Sequence, residues 1–183
     1  MRLRFYNPND LHAVNKIANN ALGEGYFSFE MPHENNAQNI FLLVAESDEN
    51  QVVGFCYFLI SNLNFEEERL KFAINEIKSE NNRVGVLKTI VVRPSFKRKG
   101  IGSSLVQKML DTLKAVDIEK VYAIAWNQNG NINLGGILNK FNFIPLAEIE
   151  KYWHDDSIEK QYQCSECGSP PCNCSAIIFS KNI

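Results

Sequence analysis

An excess of charge of either sign is almost missing from this sequence: over 183 residues, 19 Lys and Arg against 21 Asp and Glu leave a formal net charge of −2. That argues against a general nucleic-acid binder, which needs a broad basic surface to neutralise phosphates. No apolar run reaches the roughly 18 residues of a membrane-crossing helix. The opening stretch MRLRFYNPND lacks the apolar core of a secretory signal. A soluble cytoplasmic protein is therefore expected, with no membrane and no nucleic acid among its partners. Repeats and low-complexity tracts are absent as well. With 45% hydrophobic residues the chain can bury one sizeable core, and no shift in composition divides it. A single domain over residues 1–183 is expected, as a monomer or homodimer.

What the sequence does contain is concentrated in two places. The first is KRKGIGSS at residues 97–104. Before it, Val84, Val86, Leu87, Ile90, Val91 and Val92 form a nearly unbroken apolar run ended by Pro94, the pattern of a strand covered on both faces. After it, Ile101, Leu105, Met109, Leu110, Leu113 and Val116 recur at three- and four-residue intervals, the pattern of an amphipathic helix. A second apolar run, VYAIAW at residues 121–126, follows without a hairpin turn, so the crossover predicts a strand parallel to the first. In such a unit the loop and the first helical turn offer N–H groups with no intrachain partner, and the helix dipole adds positive charge. Glycines let an oxygen-rich ligand approach the backbone, while Lys97, Arg98 and Lys99 attract polyphosphate. The stretch reads as a pyrophosphate cradle; the plainer alternative is a solvated basic turn before an ordinary helix. A dinucleotide fingerprint would want a third glycine where Leu105 stands and an acidic residue where Trp126 and Asn127 stand, and a P-loop would want Gly-Lys-Ser/Thr, which does not occur.

The strand, Val-Arg-Pro and Lys97-Arg98-Lys99-Gly100-Ile101-Gly102 together resemble the acyl-CoA site of the GNAT superfamily of N-acetyltransferases. Lys97 replaces the usual Gln or Arg, and the resemblance is strongest over residues 84–146. It implies an α/β fold, a central mixed sheet flanked by helices. It also implies that Ile90, Val91 and Val92 hold the pantetheine arm and that Lys97, Arg98, Lys99, Gly100, Ile101, Gly102 and Ser103 hold the pyrophosphate. Asn131 matches the family's asparagine in its next motif. The tyrosine that commonly protonates the leaving thiolate falls on Leu138, and the positions of the usual base fall on Val86 and Lys88. Lys88 serves as a base only if burial lowers its pKa; otherwise it snorkels to the strand edge. Tyr152, Glu30 and His33 are further candidates from outside the motif. The implied activity is transfer of an acetyl group from acetyl-CoA to a primary amine of a small molecule or a peptide. The alternative is a degenerate acetyltransferase fold serving as a zinc-stabilised protein-binding module.

Elsewhere the pattern predicts a strand over residues 2–6, a helix capped by Asn9-Asp10 and running to Gly23, and a hairpin of residues 40–46 and 52–63. GEGYFSFEMPHENN mixes aromatics with carboxylates, suiting either a cationic amine or simple capping of the core. Residues 65–82 read as a charged insertion carrying a surface helix. The second concentration is CSECGSPPCNC, where Cys164, Cys167, Cys172 and Cys174 place four thiols within eleven residues. Zn²⁺ takes four soft ligands in a tetrahedron, and four cysteines leave no position for a catalytic water, so a structural ion is expected; two disulfides are the alternative. Strands are expected at residues 148–153 and 175–179, which puts the knuckle of residues 164–174 inside the last β-hairpin.

Overall fold

The computed structural model describes residues 1–27, 39–62, 82–128 and 130–183, which build one mixed sheet with helices on both faces. Its strands are β1 (Arg2–Phe5), β2 (Ile40–Glu46), β3 (Val52–Asn62), β4 (Arg83–Val92), β5 (Lys120–Gln128), the short β6 (Asn131–Ile132), β7 (Ile144–Ile149) and β8 (Ser175–Asn182). They lie in the order β1-β2-β3-β4-β5-β8-β7, with β6 paired to β5. The helices are α1 (Leu11–Leu22), α2 (Ile101–Lys114), α3 (Gly135–Lys140) and α4 (His154–Lys160). This is the mixed α/β architecture that the family resemblance implied.

Every neighbouring pair of strands is antiparallel except β4 and β5. That pair is parallel for only three residues, Gly85↔Val121 to Leu87↔Ala123. Beyond it, β4 continues to Val92 on the arm of β3, and β5 continues to Asn127 on the arm of β8. The sheet therefore opens into a wedge: among the described residues, no ladder pair joins β4 beyond Leu87 to β5 beyond Ala123.

The amphipathic pattern of α2 is spent on one face of this sheet. Leu105, Met109 and Leu113 are fully buried against Leu43, Phe58, Leu87 and Val121, each burial contributing roughly 1.5–3 kcal/mol. On the other face, Val14, Ile17 and Ala18 of α1 pack on Leu42, Val44, Phe55 and Val91. Cys56, fully buried in β3, behaves as the small hydrophobe its context suggested, and burial pushes its thiol well above the ordinary range.

Two boundaries differ from expectation. Asn7, not Asn9 or Asp10, caps the entry to the first helix: its side chain accepts from Asn9 N–H, and Asp10 reaches back to Asn7 N–H in a capping box around a 3-10 turn. Asp10 is instead held by Arg4, whose guanidinium donates to both of its carboxylate oxygens at 2.7 and 2.9 Å and to Glu46 at 2.7 Å. The strand expected at residues 148–153 lies at Ile144–Ile149; Lys151 then turns the chain through a left-handed conformation (φ 51°) into α4. The insertion expected at residues 65–82 falls outside the described residues except for Asn82.

The Arg4 cluster ties β1, β2 and the start of α1 together. Arg4's hydrogen bond holds the Asp10 carboxyl below its ordinary value of 3.8, although burial opposes the shift. Its stabilising contribution is thus present above that value and lost as pH falls through the lower folded value. Asp10→Asn is expected to destabilise the protein by roughly 1–3 kcal/mol at neutral pH. The melting temperature of the variant should also fall less steeply than that of the wild type below pH 4, as thermal unfolding across a pH series would measure.

Candidate functional site

The wedge leads at one end to the glycine loop. After β4, Pro94–Phe96 forms a 3-10 turn, and Arg98 and Gly100 both take left-handed backbone conformations (φ 59° and 81°) before α2 begins. The first main-chain bond of the helix runs from Ser104 N–H to Gly100 O at 2.9 Å. Among the described residues, the N–H groups of residues 98–103 have no main-chain partner. No atom lies within 4 Å of where a Cβ on Gly100 would stand, whereas a Cβ on Gly102 would come within 2.7 Å of Ile137 Cδ1. Gly100 thus leaves the loop open, and Gly102 lets α2 and α3 approach. Lys97, Arg98 and Lys99 are exposed, Lys99 with its ammonium 5.0 Å from the centre of the Phe96 ring.

A cleft of about 600 Å³ runs from this loop along the wedge. Its middle is walled by residues 87–92 of β4 on one side and Ile124, Ala125 and Trp126 of β5 on the other. Lys88, Ile90, Val91, Val92, Lys97, Arg98, Gly100, Ile101, Gly102 and Ser103 all line it; Lys99 does not. Asn131 pairs with Gln128 in β6 and lies outside the lining, because the turn points it to solvent; Asn133 lines the cleft instead. Tyr152 is likewise outside it, buried in the cluster of Leu59, Val84, Val86 and Tyr122, and its neighbour Trp153 takes the cleft position. Val86 and Leu138 are both fully buried. Glu30 and His33 lie outside the described residues.

The far end of the cleft is where the cysteines are. The four sulfurs of Cys164, Cys167, Cys172 and Cys174 all lie within 4.8 Å of one another, with separations of 3.3 Å (167 to 174) and 3.9 Å (164 to 174, and 167 to 172). A tetrahedral zinc ion with Zn–S of about 2.3 Å requires sulfurs about 3.8 Å apart, so the set fits the ion. All four are free thiols. Cys164 and Gly168 exchange main-chain bonds to form the knuckle, and N–H groups of Cys167 and Asn173 point at the sulfurs of Cys164 and Cys167. The indole N–H of Trp126 is buried without an oxygen partner and faces the Cys174 sulfur. A buried donor in that position is satisfied by a thiolate, which is what a bound metal would make of Cys174. Burial pushes the Cys172 thiol up to about 11 and the Cys174 thiol higher still. For Cys167 burial acts upward too, but the Asn173 N–H and the neighbouring sulfurs outweigh it and the net shift is downward.

Cys164 and Cys172 line the cleft directly, alongside Tyr26, Trp153 and Tyr162. Trp153 Nε1 donates to the Tyr26 hydroxyl at 3.2 Å, and the Tyr26 and Tyr162 rings meet edge to face at 5.1 Å. Burial raises the pKa of both tyrosines, so their hydroxyls are neutral donors at ordinary pH. Of these, the sequence pattern marked only Tyr26 and the cysteines; the sole local sign of Trp153 and Tyr162 is their nearness to the knuckle in the chain.

The knuckle also grips the end of α1. Gln163 N–H bonds to Glu24 O at 2.9 Å, and Ser165 N–H bonds to Leu22 O at 3.2 Å. Gly23 sits between them at φ 113°, and a Cβ there would stand 1.8 Å from Gln163 O.

The family model of the acetyltransferase (GNAT) family matches residues 11–134, more than half of the chain. The chain belongs to the GNAT family. Solved structures agree in fold. NAA60 of Arabidopsis thaliana in complex with acetyl-CoA aligns with a TM-score of 0.70 at 13% identity, over 100% of this chain and 98% of that one. Ribosomal-protein-alanine N-acetyltransferase of Brucella melitensis aligns at 0.65 and 16% identity, over 100% of both chains. Naa20 of Chaetomium thermophilum in complex with a bisubstrate analogue aligns at 0.67 and 15%, over 100% of this chain and 87% of that one. No curated protein matches in sequence. The GNAT match ends at residue 134, so the cysteine knuckle lies beyond it. Among the described residues no helix is long and apolar enough to cross a membrane.

Gly23→Ala is expected to part the knuckle from α1, because backbone, not a movable side chain, occupies the space a Cβ needs. A loss of at least about 2 kcal/mol in thermal unfolding is expected. Gly100→Ala, with open space around it, should cost only about 1 kcal/mol for its left-handed backbone.

Proposed function

We propose that this GNAT chain transfers an acetyl group from acetyl-CoA to a primary amine, and that its four cysteines hold a structural zinc ion. The observation that carries the first part is the set of uncommitted N–H groups at residues 98–103, opening onto the wedge between β4 and β5. The diphosphate of acetyl-CoA is held by those amides and by the field of Lys97, Arg98 and Lys99. The pantetheine arm runs along β4 at Ile90, Val91 and Val92, hydrogen-bonding as a strand would. That direction delivers the thioester toward Tyr26, Trp126 and Trp153.

There the neutral amine nitrogen attacks the thioester carbonyl, the C–N bond forms, and the C–S bond then breaks. The nitrogen loses its extra proton and the departing sulfur leaves as thiolate or takes up a proton. With Val86 and Leu138 buried at the positions where the family carries a base and an acid, proximity and orientation provide most of the acceleration, and water carries the protons. Lys88, half-buried on the cleft wall, is a candidate base. The zinc ion, with all four positions filled by thiolates, would supply structure rather than Lewis acidity. It cross-links the connection between β7 and β8, which in turn holds the end of α1.

The buried Leu138 also supports a second reading, a catalytically silent acetyltransferase fold that binds partners through its knuckle. The two differ in turnover. Acetyl-CoA should raise the melting temperature of the wild type by several degrees at saturation, and Gly100→Ala should reduce its affinity about tenfold by placing a methyl group in the cradle. A panel of amines and peptides should release CoA from acetyl-CoA. If acetyl-CoA leaves the melting temperature unchanged, the first reading is wrong; if it binds and no amine releases CoA, the second takes its place. A strong chelator is expected to lower the melting temperature and to weaken amine turnover before it weakens acetyl-CoA binding.

A further inference from the structure

With zinc bound as proposed, the two ends of the cleft would have opposite electrical character. At the loop end stand Lys97 and Arg98. At the far end the wall is made of Cys164 and Cys172, which are 8% and 3% exposed. Four thiolates around one Zn²⁺ carry a net charge of −2, and a buried charge is screened far less by salt than a surface one. The N–H groups of Cys167 and Asn173 and the Trp126 indole soften that charge without cancelling it.

The same wall presents aromatic rings that cannot turn aside. Trp153 is fixed by its bond to the Tyr26 hydroxyl and by edge-to-face packing on Tyr152 at 4.9 Å. Tyr162 is fixed by its hydroxyl on Trp153 O at 3.5 Å and by its packing on Tyr26. Aromatic faces beside a buried anion favour a cation, most of all one without hydrogen-bonding demands of its own.

Resting on the acetyl-transfer and zinc readings above, we propose that the acceptor carries, besides the amine that reacts, a second and permanently positive nitrogen that sits against Trp153, Tyr162 and the zinc-bound thiolates of Cys164 and Cys172. The reacting amine must be neutral to attack, so the charge that the wall attracts has to be a different one. Amines with a distal cationic group are the substrate class this geometry selects, over neutral monoamines of the same length and over acidic amines. The polarity of the cleft sorts the two substrates: the polyphosphate is drawn to one end and the cationic acceptor to the other.

The test uses the full chain loaded with Co²⁺ in place of Zn²⁺, whose thiolate charge-transfer and ligand-field absorption report on the cluster. Choline is the probe, and 3,3-dimethyl-1-butanol is its neutral counterpart of the same shape. Choline should shift the cobalt bands saturably, and the neutral compound should bind at least tenfold more weakly or leave them unmoved. Trp153→Leu should weaken choline at least tenfold with the unliganded cobalt spectrum unchanged, and Trp153→Phe, which keeps an aromatic face, should retain most of the binding. No shift with choline, an equal response to both compounds, or a cobalt spectrum lacking four-thiolate intensity would each overturn the proposal. The rise in melting temperature with acetyl-CoA, measured on the same sample, is independent of these bands, so a failed cation site is distinguished from a failed acetyl-transfer reading.

Discussion

Two strands that begin side by side and cannot stay so are the constraint from which this molecule is organised. β4 is held by β3 along its length and β5 by β8, and the two arms diverge after Leu87 and Ala123. A strand edge with no neighbour is ordinarily a liability, because its N–H and C=O groups are left for any passing chain. Here the edges face the cleft, and α2 packs on one face of the sheet beside them. The glycine loop lies at the mouth of the same wedge because α2 must leave the end of β4 to cross over to β5. Cradle and cleft are therefore consequences of one splay.

The knuckle is best understood through what it touches. It lies between β7 and β8, yet its main chain bonds back to the end of α1, over one hundred residues earlier in the chain. Gly23 is the point where that contact becomes so close that no side chain fits. The four cysteines stand together there, and Cys164 and Cys172 line the cleft itself. Ser157, fully buried in α4, adds a second anchor by accepting from the Cys172 N–H at 2.8 Å and donating to His154 O at 2.7 Å. Helix, knuckle and aromatic wall thus form one packed unit.

The electrostatics divide along the same line. Lys97, Arg98 and Lys99 are exposed at the loop, where their field reaches into solvent. Three of the four knuckle thiols, Cys164, Cys172 and Cys174, are buried, where an uncompensated charge is costly.

Local chemistry was readable in the amino-acid sequence where it depends on neighbours in the chain. The helical stripe of α2, the breaking of β4 at Pro94, the two glycines and the CxxC and CxC spacings each express an interaction within a few residues. So do the left-handed turn at Gly100 and the convergence of the four sulfurs. Tertiary structure alone decided the rest. Tyr152 and Trp153 are adjacent, but the chain leaves the sheet at Ile149, so no alternation carried forward from β7 says which of them faces the cleft. The turn of β6 likewise sends Asn131 to solvent and brings Asn133 to the wall. That a knuckle near the end of the chain closes on Gly23 is a matter of sheet order, and sheet order is set by packing between segments far apart in sequence. For that reason the elements and their chemistry were legible in the string of residues, and the meeting of cysteines, aromatic rings and glycine loop in one cleft was not.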